Sequence, residues 1–151
     1  MSAPDTLATS IGRGLLAGFA GTTAMTVSST LEAKLRGRAP SSAPARATAK
    51  VLGISEFDSD LAKARFNDLS HWSYGTGWGV LRGLLAATGM SPRRATLVHG
   101  AAIYGAAQVT LPALEIAPPS IYWGASEVTI DAFHHAVYAA VAGFAYAAIT
   151  S

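Results

Sequence analysis

The chain has 151 residues, 50% hydrophobic and only 13% charged, with a net charge of +2 and no Cys. One domain accounts for that length, and the charged share is about half of what coats an ordinary soluble domain. A balance of +2 without a basic, aromatic-interleaved stripe gives no footing for a nucleic-acid partner, and the absence of Cys excludes disulfides, zinc–thiolate sites and iron–sulfur clusters.

Mean hydropathy is +0.32, modest because much of the apolar content is Ala and Gly. Four apolar segments follow in chain order, at about 11–31, 70–90, 95–114 and 131–150. Each has close to the roughly 20 residues that cross about 30 Å of hydrocarbon at about 1.5 Å per residue. The first, "IGRGLLAGFAGTTAMTVSSTL", is preceded by no Lys or Arg near the start and followed by no small-x-small cleavage site, so it reads as a retained helix. Its Ser and Thr are tolerated in a crossing because they bond their own backbone carbonyls. Residues 39–69 form the long connection. It holds a Pro- and Ser-rich loop, a short helix opened by Pro44 and an amphipathic helix over 58–69 that either lies at the interface or runs directly into the second segment. "GMSPRR" turns the second segment into the third, with Pro92 ending any continuous helix. "EIAPPSIYWGASE" leads to the fourth, with Tyr122 and Trp123 as interfacial anchors.

Lys34, Arg36 and Arg38 follow the first segment, and Arg93 and Arg94 separate the second from the third. Charges placed between apolar runs are membrane-protein punctuation. The third and fourth segments are apolar nearly all round, which leaves no face for water. The expectation is an all-α, integral membrane four-helix bundle with up-down topology, its partner the lipid bilayer. Counting basic residues near the helix ends places the long connection in the cytoplasm.

Small residues must supply the packing, because lipid tails provide no hydrophobic drive between helices. Gly75, Gly79 and Gly83 stand four apart; Gly14 and Gly18, and Gly143 between Ala139 and Ala147, repeat the pattern. Such ridges serve packing within one chain and equally a homodimer or larger membrane complex. An internal echo, H-x-x-Y-x-x-x-x-G, recurs at His71–Gly79 and His135–Gly143. It makes the second and fourth helices counterparts and the first and third their partners.

An up-down bundle brings Glu32, Asp68, His71, Glu115, Glu127, Asp131, His134 and His135 to one level, with His99 and Arg82 toward the other. These are the candidates for a proton- or ion-responsive site, since imidazoles ordinarily titrate near pH 6.5. The same residues at helix starts also serve as caps and interfacial groups. Asp68-x-x-His71 and Asp131-x-x-His134 each put a carboxylate and an imidazole on one helix face, the spacing used in carboxylate-bridged metal bundles. That is the metal reading, with Glu32 and Glu115 as further ligands; a haem between His71 and His135 is its variant. No cofactor is otherwise expected. Arg82 is the charge most costly by its position inside a crossing, and its place seven residues before Gly89 lets it reach the headgroups. No nucleophile elbow, phosphate loop, metalloprotease motif or dinucleotide fingerprint occurs, so the balance leans away from an enzyme.

The "GLLAGFAGTTAMT" and "HWSYGTGWGVLRGL" segments and the His-opened closing segment resemble the YagU-type group of small bacterial inner-membrane proteins. The resemblance implies a multi-pass place in the bacterial cytoplasmic membrane and carries no biochemical activity. The expected function is a structural or accessory membrane component, pH-responsive through the His/carboxylate cluster. The alternatives are a metal- or haem-binding redox protein and a small ion channel or transporter.

Overall fold

A computed structural model describes residues 6–151, and among these the chain is helical throughout, with no strand. The helices are α1 (Leu7–Leu35), α2 (Ala43–Leu52), α3 (Asp60–Ala87), α4 (Pro92–Ala113) and α5 (Ala125–Thr150), with a 3-10 turn at Ser120–Tyr122. Local chemistry sets the boundaries. The hydroxyls of Thr6 and Ser59 accept the amides of Thr9 and Ala62, capping α1 and α3. Pro44 and Pro92 occupy first turns, where the missing N–H is no loss. After α3, Gly89 takes φ 77°, the left-handed conformation that stops a helix and starts the turn into α4.

One boundary differs from the sequence expectation. The last helix begins at Ala125 rather than near 131, which brings Glu127 into its first turn. The amphipathic stretch at 58–69 runs directly into the second apolar segment, α3 being unbroken from Asp60. Pro112 sits inside the last turn of α4.

Neighbouring helices run antiparallel. Gly14 and Gly18 of α1 meet Gly79, Gly83 and Thr76 of α3, while Thr26 meets His71 further along. Ser28 of α1 reaches His134 of α5, and Gly21 reaches Tyr138 and Ala142. On α4, Thr96 faces Gly143, Gly100 faces Ala139 and Gln108 meets Asp131. Thus α1 lies between α3 and α5, α4 covers the other side of α5, and His99 on the Trp78 carbonyl links α4 to α3.

The predicted small-residue ridges lie inside this bundle. A methyl at Gly18 would stand 2.8 Å from the Gly79 Cα, and one at Gly79 would overlap the Gly14 carbonyl. Only hydrogen fits there, and backbones this close bring Cα–H groups onto carbonyl oxygens. Gly75 seats Thr22, and Gly143 seats Thr96.

Burial runs opposite to that of a water-soluble bundle. The enclosed residues are mostly Ala and Gly, joined by Ser10, Thr22, Ser70, Arg82, His99 and His134. Large apolar side chains point outward instead, among them Leu16, Phe19, Val27, Leu97, Val109 and Phe144, the last 77% exposed. Ile103, Tyr138 and Ala142, with Met25 and Trp78 against them, form the modest apolar core. Among the described residues one helix, α5, is long and apolar enough to cross a membrane, with a mean hydropathy of 1.3 over its most apolar stretch. The other long helices span 22–29 residues. They fall below that hydropathy because Gly, Thr, Ser, His and Trp stand where Leu or Ile would raise it.

Candidate functional site

The site lies where the end of α1 meets the start of α5. Here α1 ends in Glu32, Lys34 and Arg36, and α5 begins with Glu127, placing cations at a helix C-terminus and an anion at an N-terminus. Arg36 donates to Glu32 at 3.0 Å, one turn back, and with both terminal nitrogens to Glu127 across the seam. Arg38 closes on the same Glu32 carboxylate, its Nε at 3.1 Å. The result is a four-charge clasp of two guanidinium and two carboxylate groups between the helices.

Glu32 is 15% exposed at its side chain, and hydrogen bonding from Arg38, then from Arg36, outweighs its desolvation and pulls its carboxyl down to about 2. Glu127 is likewise held below the usual carboxylate range, mainly by Arg36. Both carboxylates therefore stay ionised through any neutral or mildly acidic range.

His134 sits behind the clasp, 5% exposed. Its tautomer follows from its partners. Ser28 Oγ lies 3.0 Å from the Met25 carbonyl and 2.9 Å from His134 Nδ1, so with its hydroxyl proton on that carbonyl the imidazole donates through Nδ1. In the neutral ring Nε2 is then a bare lone pair. It has no hydrogen-bond partner and stands 3.7 Å from Glu32 Oε2. A second proton on Nε2 converts this contact between two acceptors into a charge-assisted hydrogen bond, in competition with Arg38 and Arg36 for the same carboxylate. A groove of about 510 Å³ opens beside this contact, walled by Leu31, Leu35, Ile130 and Phe133, with His134 and Glu32 in its lining.

The other imidazoles are fixed by the same reasoning. Thr26 donates to the Thr22 carbonyl, so His71 Nε2–H donates to Thr26 Oγ1 at 2.7 Å. His135 Nδ1–H donates to the Asp131 carbonyl at 2.8 Å, and its ring packs on Tyr104. His99 Nε2–H donates to the Trp78 carbonyl at 2.9 Å.

The predicted single cluster is therefore several separate contacts. Glu32, Glu127 and His134 do come together. Asp131 turns toward α4, where it accepts from Gln108 at 3.2 Å and lies 3.5 Å from His135. His71 faces α1, and Asp68 is exposed. Glu115 pairs with Lys50 at the surface, 83% exposed, and has left the level of the others. The metal set Asp68, His71, Asp131 and His134 does not converge: among the described residues no three His, Asp or Glu side chains gather as ligands. Within each D-x-x-H pair the histidine faces α1 and the aspartate does not, and the two histidines turn to different levels of α1. Arg82 departs most from expectation. It does not reach outward but is 1% exposed, with Tyr146 under its guanidinium at 4.3 Å. Sequence reasoning also missed Arg36 and Arg38 as members of the site; their i,i+4 and i,i+6 spacing from Glu32 was the available signal.

The chain matches no family model, no curated protein and no solved structure.

Proposed function

We propose that this chain is a four-crossing protein of the bacterial cytoplasmic membrane, a structural or accessory component whose α1–α5 seam responds to pH. The observation that carries the membrane reading is the inverted burial, with Arg82, His99 and His134 enclosed while Leu16, Leu97 and Phe144 face out. Water would penalise that exposure by about 25 cal/mol per Å² of apolar surface, whereas lipid removes the penalty. Close Gly–Gly packing of α1 on α3 suits the same solvent. The proposed likeness to the YagU-type group agrees with this placement and adds no activity.

The pH response rests on the His134–Glu32 contact. The clasp carboxylates stay charged far below neutrality, so the group that changes in mild acid is an imidazole. The charged groups facing His134 are Glu32 of α1, Arg38 just beyond α1, and Asp131 on its own helix. Protonation draws Glu32 toward His134 and loosens Arg38 and Arg36, which releases Glu127 and shifts the start of α5.

Nitroxide labels at Lys34→Cys and Ser126→Cys read this directly. The inter-label distance distribution changes as pH falls from about 7.5 to about 4.5, and His134→Gln removes the change. A distribution indifferent to pH, or a change that survives His134→Gln, refutes the response.

A further inference from the structure

We propose that Arg82, through its free Nε–H and Nη1–H groups, forms a buried binding site for one small inorganic anion of the halide or nitrate class. This does not rest on the membrane reading, since all four long helices enclose the position whatever surrounds them. Arg82 belongs to α3, its stacking partner Tyr146 to α5 and His99 to α4, while Ser10 of α1 lies against the adjacent Gly83.

A guanidinium cannot give up its proton in a protein, so Arg82 is a cation wherever it sits. It is 1% exposed, and its Nε and Nη1 have no hydrogen-bond partner. Tyr146 covers one face of the guanidinium, but a ring offers a weak quadrupole and accepts no in-plane N–H. Among the described residues no Asp or Glu pairs with Arg82, and no carboxylate contributes to its electrostatic surroundings. The clasp acids lie at the far end: from His71 to Arg82 alone the helix rises roughly 16 Å.

A second buried polar group borders the position. His99 is 0% exposed and donates through Nε2 to the Trp78 carbonyl, so its unpartnered Nδ1 is a lone pair and the ring walls the site without adding a donor to it. It lies within electrostatic reach of Arg82. An enclosed cation with unused donors is strongly unfavourable unless compensated. Since the described chain supplies no counter-charge, the compensating charge comes from solution. The tight enclosure restricts it to a small ion, and the free N–H groups give it hydrogen bonds.

The experiment compares bromide with gluconate at constant ionic strength on purified full-length protein. Bromide raises the thermal midpoint saturably, gluconate does not, and Arg82→Gln abolishes the bromide effect. Equilibrium dialysis of the unmodified protein against radiolabelled chloride gives a readout that needs no variant, with binding near one per chain expected and lost in competition with bromide. A midpoint indifferent to anion identity together with no chloride retained overturns the proposal. A saturable response that persists in Arg82→Gln overturns it as well.

Discussion

Gly77 and Gly79 are two residues apart on α3, and they separate packing from propensity. A methyl at Gly79 would run into the Gly14 carbonyl, whereas one at Gly77 meets nothing within 4 Å. Gly79→Ala must push α1 and α3 apart, which places its destabilisation at about 2 kcal/mol or more. Gly77→Ala gains about 0.5–1 kcal/mol from reduced backbone freedom, and detergent-solubilised thermal unfolding distinguishes the two. Glu32 gives a second prediction at this scale. Its carboxyl titrates at about 2 in the folded chain against 4.5 in the open chain. The clasp therefore contributes fully above about pH 4.5, and that contribution fades as pH falls toward 2. Glu32→Gln flattens the thermal midpoint across that window and leaves the shape of the profile between about pH 5 and 8 to the imidazoles. The sequence announced the glycines through their four-residue spacing. It did not announce Arg82, because a place seven residues before Gly89 is compatible both with reaching outward and with turning in. Only the position of Tyr146, 64 residues away, decides between them.

At the scale of the elements, turn and cap chemistry was readable in the sequence, while the facing of side chains was not. Pro44, Gly89 and Pro92 fall where their backbone preferences place them. The continuity of α3 was one of two readings of 58–69, because its first two turns are polar and its remainder apolar, a change of solvent rather than of conformation. Its N-cap gives an element-scale prediction. Ser59→Ala removes the acceptor for the Ala62 amide and costs about 1 kcal/mol locally. Hydrogen exchange should quicken over the first turns of α3 while the segment packed on Gly14 and Gly18 keeps its protection; equal loss along α3 would mean that the helix behaves as one unit. The D-x-x-H spacing did not bring its groups together: Asp131 turns to α4 and Asp68 to the surface, while both histidines face α1. His71 and His134 both lean on α1, at Thr26 and Ser28, and each finds a hydroxyl before it finds the other. Serine and threonine in α1, read from sequence as merely tolerated, are what disperse the cluster.

The whole molecule carries its internal echo into space. His71 and Gly79 of α3 face α1, through Thr26 and Gly14; His135 and Gly143 of α5 face α4, through Tyr104 and Thr96. Equivalent positions thus face the preceding long helix in each hairpin. The correspondence stops at the tyrosines: Tyr138 is buried with its hydroxyl on the Gly75 carbonyl, while Tyr74 is 43% exposed beside Trp78. The all-helical, antiparallel plan was readable from segment lengths and punctuation. The proposal of four crossings depends on a feature that composition conceals, namely that low-hydropathy helices place their polar residues inside. That proposal has a direct test, because the natural chain has no Cys. Single substitutions Ser41→Cys, Thr88→Cys and Ser120→Cys, in turns between the long helices, are treated in intact cells with a membrane-impermeant maleimide. Four crossings with the long connection in the cytoplasm predict labelling at Thr88→Cys alone, and at Ser41→Cys and Ser120→Cys only after the cells are opened. Protein released to the soluble fraction, or all three positions labelled alike before the cells are opened, would contradict the account.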